Sequence, residues 1–257
     1  MRSFFVGNES GGQGMKCWFL EHSGVAVKTQ QHLLLFDLFG KMLDWESGKG
    51  LAQGVVNPQE IGGEDVLAFV SHEHEDHFST KLFELSGKIG RFRMILPEEL
   101  DALTEDAVFV RPNETVELPD CRITTLESTD IGVAYLIEID GKLIYHAGDL
   151  NWWHWEGEEE AFNRDQAQRY QQQMEKLKQA VGERSIDVAF VPVDPRLNRD
   201  MLRGVCCLAE HVSVNRIVPI HFWGDFSVCR QLADAPQAAA FANRVVELTA
   251  CGQEIEC

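Results

Sequence analysis

The stretch SHEHEDHFS at residues 71–79 constrains this chain more than any other. Three of the nine histidines and an aspartate fall within six positions, directly after the apolar run VLAFV. A short continuous apolar run reads as a strand buried on both faces. The fold must therefore carry a buried strand straight into a loop crowded with imidazole and carboxylate. In an extended segment alternate side chains share a face, so His72 and His74 are expected to converge on one point. Asp76 and His77 sit where the chain turns toward DHFSTKLFELSGK, which reads as a helix capped near Ser79, and are expected to face a second point nearby. Imidazole nitrogen and carboxylate oxygen are donors that zinc accepts.

Four residues on one loop do not complete two metal positions, so the remaining donors must come from other strand ends. IYHAGD ends an apolar strand at Asp149, with Gly148 allowing close backbone approach. IVPIHFWGD ends another at His221. His146, three positions before Asp149, reads as a supporting or core residue, because ligands need oriented partners. His22 in EHSG either lines the site or braces the first turn. Asp37, closing LLLFD, is expected to hydrogen-bond the loop backbone rather than bind metal.

Taken together, HSGVAV, LLLFD, SHEHEDHF, IYHAGD and VPIHF resemble, in order and over about residues 15–225, the metallo-β-lactamase superfamily of metallohydrolases. The HSG opening and YHAGD are most similar to its ascorbate-6-phosphate-lactonase-like hydrolases. The resemblance implies a four-layer αββα sandwich with metals at one end of its sheets. It implies His72 and His74 on a first metal, Asp76, His77 and His221 on a second, and Asp149 as the bridging carboxylate. It also implies one or two zinc ions per chain and a hydrolase in which metal-bound hydroxide attacks an ester, lactone, amide or phosphoester. Asp76 and Asp149 would then be the catalytic carboxylates.

One departure stands out. The family pattern supplies a third histidine to the first metal, yet this chain has no histidine from 78 to 145. In the corresponding stretch TTLESTDIG, Asp130 or Glu127 offers an oxygen; His154, just after Asp149, is a second substitute; otherwise the first position is weak or empty. An oxygen-rich first position would shift preference toward manganese or iron. The alternative function is a non-hydrolytic metal-binding protein of the same fold with a degenerate first site. A third reading, a processing ribonuclease, conflicts with the formal net charge of −18, which repels phosphate backbones.

Substrate contacts are expected from the loops after the ligands. Trp152, Trp153 and Trp155 with His154 either brace Asp149 or wall a pocket, and Trp223 raises the same question. Arg196 in VPVDPRLNRD is a candidate anchor for a carboxylate or phosphate. Trp152, His154, Arg196 and Trp223 are thus the candidate substrate-binding residues, with a small molecule as the partner.

No apolar run approaches the ~20 residues that span a bilayer. Seven cysteines, an odd count with no CxxC, read as reduced thiols of a cytoplasmic protein. Residues 1–14 read as a flexible leader, and 15–257 as a single α/β domain. Residues 158–181 have the periodicity of an amphipathic helix, Asp140-Gly141 that of a hairpin turn, and APQAAAFANRVVELTA reads as a closing helix.

Overall fold

The apolar runs of the sequence become the inner strands of two sheets. A computed structural model describes residues 14–257, so nearly all of the expected leader lies outside the described residues. The first sheet takes β1 (Lys16–Glu21), β2 (Gly24–Lys28), β3 (His32–Phe36), β4 (Asp65–Phe69), β5 (Phe92–Pro97) and β6 (Val108–Val110). The second takes β7 (Thr115–Glu117), β8 (Cys121–Glu127), β9 (Val133–Ile139), β10 (Lys142–His146), β11 (Ser185–Pro192) and β12 (Ser213–Ile220). The last strand, β13 (Gln253–Glu256), returns to pair with β1, giving the orders β13-β1-β2-β3-β4-β5-β6 and β12-β11-β10-β9-β8-β7.

The period of two explains the layering. In β3 and β4, Leu34, Phe36, Leu67 and Phe69 join the core between the sheets, where Phe69 meets Tyr135 edge-on with ring centroids 5.2 Å apart. Leu33, Leu35, Val66 and Ala68 face the other way. There they pack with Ile61 of α1 (Pro58–Ile61) and with Leu82 and Leu85 of α2 (Lys81–Ser86). Helices α3 (Glu160–Val181) and α4 (Arg203–His211) cover the second sheet through Tyr170, Met174, Leu177, Val205 and Leu208. Each such side chain contributes about 1.5–3 kcal/mol on burial. The result is the expected αββα order of layers.

The closing helix does not form. Helix α5 (Ser227–Asp234), which the sequence reading missed, stops just before Pro236, whose ring and missing N–H oppose continuation. Residues 236–238 and 242–244 make only short 3-10 turns. Val245 then bridges Ile217 in parallel, and Val246 N–H donates to the Ile217 carbonyl at 2.8 Å. Sheet pairing has captured a segment whose alanines favoured a helix.

Strands β3 to β6 run parallel, as do β10 to β12, so their carboxyl ends gather at one end of the sandwich. The β1–β2 turn and the β8–β9 loop reach the same end because β2 and β9 run antiparallel to β3 and β10. Among the described residues, no helix is long and apolar enough to cross a membrane. All seven cysteines are free.

Candidate metal centre

Every donor comes from that end. Strand β4 delivers His72, His74, Asp76 and His77, β10 delivers Asp149, and β12 delivers His221. Two glycines let the sheets close on the loop. A Cβ on Gly132 would lie 2.1 Å from the Ser71 carbonyl oxygen, and one on Gly148 would lie 2.6 Å from the Ser71 Cβ; both have positive φ.

Two groups of donors result. His72, His74 and Asp149 form one; His22, Asp76, His77 and His221 form the other, and within each group the donor atoms lie within 4.8 Å of one another. Asp149 joins them. Its Oδ1 is 3.2 Å from His77 Nε2 and 3.3 Å from His221 Nε2, while its Oδ2 is 3.8 Å from His72 Nε2. His74 Nδ1 lies 3.0 Å from His72 Nε2 and 3.9 Å from Asp130 Oδ2. Asp130 is thus brought beside the first group, with its side chain half-exposed.

The histidines are held by their Nδ1 atoms. Asp37 accepts from the Ser71 backbone N–H at 2.7 Å, the Ser71 hydroxyl at 2.8 Å and His77 Nδ1 at 2.8 Å. Because the Ser71 proton points to Asp37, its oxygen is left to accept from His72 Nδ1 at 2.9 Å. Asp194, fully buried, accepts from His221 Nδ1 at 3.1 Å. Each of these contacts turns Nε2 into the cluster and selects, for the neutral ring that ligates a metal, the tautomer with Nε2 unprotonated. Asp37 therefore braces the loop, as its position predicts. His146 donates from Nε2 to the Ser23 carbonyl at 2.9 Å and accepts from the Gly148 N–H at 3.1 Å, which makes it a support for the turn at His22.

Charge follows the geometry. Burial lowers the His77 pKa, but Asp149 and Asp37 outweigh it and hold it well above its ordinary value. Burial and then Asp149 act in the same opposing way on His221, which rises to about 9. Burial lowers His72 to about 4, with His77 adding to the shift. His77 and His221 overcome burial to hold Asp149 well below the carboxylate range. The neighbouring His22 ring keeps Asp76 low as well.

The residues fit a metal ion. Nε2 of His22, Nε2 of His77 and Oδ1 of Asp149 are buried and make no aligned hydrogen bond, although Asp76 and Asp149 carboxylate oxygens stand within 3.3 Å of the two nitrogens. A buried polar atom left unpaired costs about 1–3 kcal/mol, so several facing one another need explanation. A divalent cation among nitrogen and oxygen donors supplies one. Backbone strain points to the same place. Of seven non-glycine residues with positive φ among the described residues, His22, Asp37, His221 and Trp223 lie here.

A cleft of about 530 Å³ opens over the centre, lined by His74, Asp76, Asp130, Asp149, Trp153, Trp155, Phe162, Arg169, Arg196, His221 and Trp223. That volume suits a small molecule. The loop after Asp149 divides its side chains by alternation. Trp153 donates to the Asp149 carbonyl at 3.0 Å and stacks on Trp155 at 6.0 Å, both at the cleft. Trp152 and His154 turn the opposite way. Trp152 meets Tyr170 at 6.2 Å, and His154 Nε2 lies 3.9 Å from Asp200 Oδ2, where both line a different cleft. The structure therefore brings neither Trp152 nor His154 to the centre, and His154 is no substitute ligand in this arrangement. Glu127, at the end of β8, is exposed.

Arg196 and Trp223 do reach the cleft. Asp194 accepts from Arg196 Nε at 2.9 Å and from Trp223 Nε1 at 3.3 Å, and the guanidinium stands 4.6 Å from the Trp223 ring centre. The same carboxylate thus orients His221 and Arg196. The sequence reading passed over that role of Asp194, although its place just after β11 was a signal. Of the tryptophans weighed as a pocket wall, the cleft takes Trp153 and Trp155 rather than Trp152, and it adds Phe162 and Arg169, which the sequence reading did not single out.

No family model matches the chain. A UPF0173 metal-dependent hydrolase of Bacillus velezensis is 24% identical over 263 aligned positions, spanning 94% of this chain and 99% of that protein. Igni18, a metallo hydrolase from Ignicoccus hospitalis, superposes with a TM-score of 0.63 at 15% identity, over 95% of this chain and 98% of that one. The metallo-β-lactamase fold protein YhfI of Bacillus subtilis superposes with a TM-score of 0.57 at 14% identity, over 95% of this chain and all of that one (100%). With two helix-covered sheets, and superposed on these structures over nearly its whole length, the chain has the metallo-β-lactamase fold.

Proposed function

We propose that this chain is a metal-dependent hydrolase acting on a small-molecule ester, lactone, amide or phosphoester. The observation that carries the reading is the buried cluster in which His77 Nε2 and His221 Nε2 crowd Asp149 Oδ1 at 3.2 and 3.3 Å, with no aligned hydrogen bond to that oxygen, beneath an open cleft. Similarity to proteins described as metal-dependent hydrolases supports it.

His72 and His74 would hold one ion, Asp76, His77 and His221 the other, and Asp149 would serve both. A divalent ion there supplies Lewis acidity and lowers the pKa of its water toward about 7. Zinc, manganese and iron all accept these donors. Asp149 and Asp76 orient the attacking water by accepting its hydrogen bonds. Arg196, fixed by Asp194, keeps N–H groups to hold a substrate carboxylate or phosphate. Trp153, Trp155, Phe162 and Trp223 give the cleft an apolar wall that limits water around the reacting bond. The net charge of −18 argues against a nucleic-acid substrate.

The test is a panel of the four substrate classes with metal-loaded protein. Turnover of at least one class, abolished by chelation and by Asp149→Asn, is expected. Tight metal binding with no turnover of any class favours the second reading, a non-hydrolytic metal-binding protein. The observation in its favour is the first group of donors, which has only two histidines, one of them half-exposed.

A further inference from the structure

The first turn of the chain places an imidazole where the metal pattern does not call for one. His22 sits between β1 and β2 with φ of 52°. Its ring is buried, and its Nε2 makes no aligned hydrogen bond. That nitrogen lies 3.3 Å from Asp76 Oδ2, and the ring centre is 4.2 Å from that of His221 and 5.6 Å from that of His77. The backbone holds it there from both sides. The His22 carbonyl accepts from the His221 N–H at 3.1 Å, and the Ser23 carbonyl accepts from His146. A turn held only for shape would not need a buried imidazole nitrogen aimed, without an aligned hydrogen bond, into a cluster of donors.

We infer that His22 is a metal ligand of the buried position, which makes a five-donor set with Asp76, His77, Asp149 and His221. The inference rests on the reading that this cluster binds a metal. Three neutral imidazoles and two carboxylates balance a divalent cation, so the filled position carries no net charge. The other position offers two histidines, a shared carboxylate and a half-exposed Asp130. The histidine missing between 78 and 145 is therefore not replaced in kind; binding strength moves to the buried position, which fills first. This chain is built to hold one ion tightly and a second, if at all, weakly.

The test loads metal-depleted protein with one equivalent of manganese or cobalt and counts coordinated imidazoles by X-ray absorption and pulsed EPR. Three are expected in the wild type and in His74→Ala, whose exposed side chain belongs to the other position. Two are expected in His22→Ala, with affinity at least ten-fold weaker by chelator competition. Melting separates a ligand from a brace: chelated His22→Ala should melt near the chelated wild type and gain less on metal addition. Two imidazoles in the wild type, or undiminished affinity in His22→Ala, overturns the inference and leaves the hydrolase reading standing. If His22→Ala does not fold, the imidazole counts in the wild type and His74→Ala decide alone. A wild type that binds no divalent ion overturns the reading beneath it.

Discussion

At the scale of single residues, the centre is governed by buried carboxylates that lie behind its imidazoles. Asp37 and Asp194 each accept a hydrogen bond from the Nδ1–H of a histidine and so turn its Nε2 inward. Asp194 also holds Arg196 and Trp223, which ties the orientation of His221 to that of the cleft wall. Burial raises the Asp194 pKa, but His221 and Arg196 bring it down to about 2, so the carboxylate stays ionised at neutral pH. Asp194→Asn should weaken metal affinity by roughly 10–100-fold, the usual cost of removing a partner behind a ligating histidine. Chelator competition measures this, and an affinity within two-fold of wild type would contradict the orienting role. Asp130→Ala should remove only the weaker equivalent of metal, leaving the tighter one in place by elemental analysis. The candidate donors that the structure brings together were legible because they cluster within one loop or close an apolar strand. Asp194 and His22 were harder to read because their roles depend on contacts 27 and 199 positions away in sequence, with His221 in both cases.

At the scale of elements, the strand ends and the turns between them set the geometry. Gly132 lets the β8–β9 loop lie against Ser71, whose carbonyl accepts from the Val133 N–H at 2.9 Å. Gly132→Ala should cost at least about 2 kcal/mol and disturb the loop carrying His72, because both the φ of 73° and the close contact oppose a Cβ. Denaturant unfolding reads the first effect and metal affinity the second. At the opposite end of the sheets, the hairpin residue Asp140 accepts from Thr29 Oγ1 at 2.6 Å, the Gln31 N–H at 2.9 Å and His32 Nδ1 at 3.0 Å. Burial raises its pKa, but these donors outweigh it and leave the value below the ordinary 3.8. A depressed carboxylate stabilises the fold above its unfolded value and loses that contribution as pH falls through the folded one. Asp140→Asn should therefore destabilise by about 1–3 kcal/mol at neutral pH, and less below about pH 4. An equal loss at both pH values would count against it. Strands were read well because their apolar runs are unbroken or alternate. The C-terminal segment was misread because alanine content favours a helix locally, whereas pairing with β12 is a tertiary effect that no local pattern carries.

At the scale of the whole molecule, two sheets meet so that the carboxyl ends of parallel strands from both converge on one centre. A metal held there would join the halves of the sandwich, since His72, His74 and His77 come from the first sheet and Asp149 and His221 from the second. Bound metal should stabilise the whole fold by RT ln(1 + [L]/Kd), about 4 kcal/mol at a thousand-fold excess over Kd. Chelation should lower the melting temperature of the wild type and leave that of Asp149→Asn unchanged; a melt indifferent to chelator in both would mean that the centre does not link the sheets. The central claim is that the buried cluster is a metal site with Asp149 at its middle. Elemental analysis of metal per chain in wild type and Asp149→Asn, each equilibrated with the same divalent ion and then freed of loose metal, tests it most directly. At least one equivalent in the wild type and almost none in the variant is the predicted result; equal occupancy in the two proteins, or an empty wild type, would contradict the account.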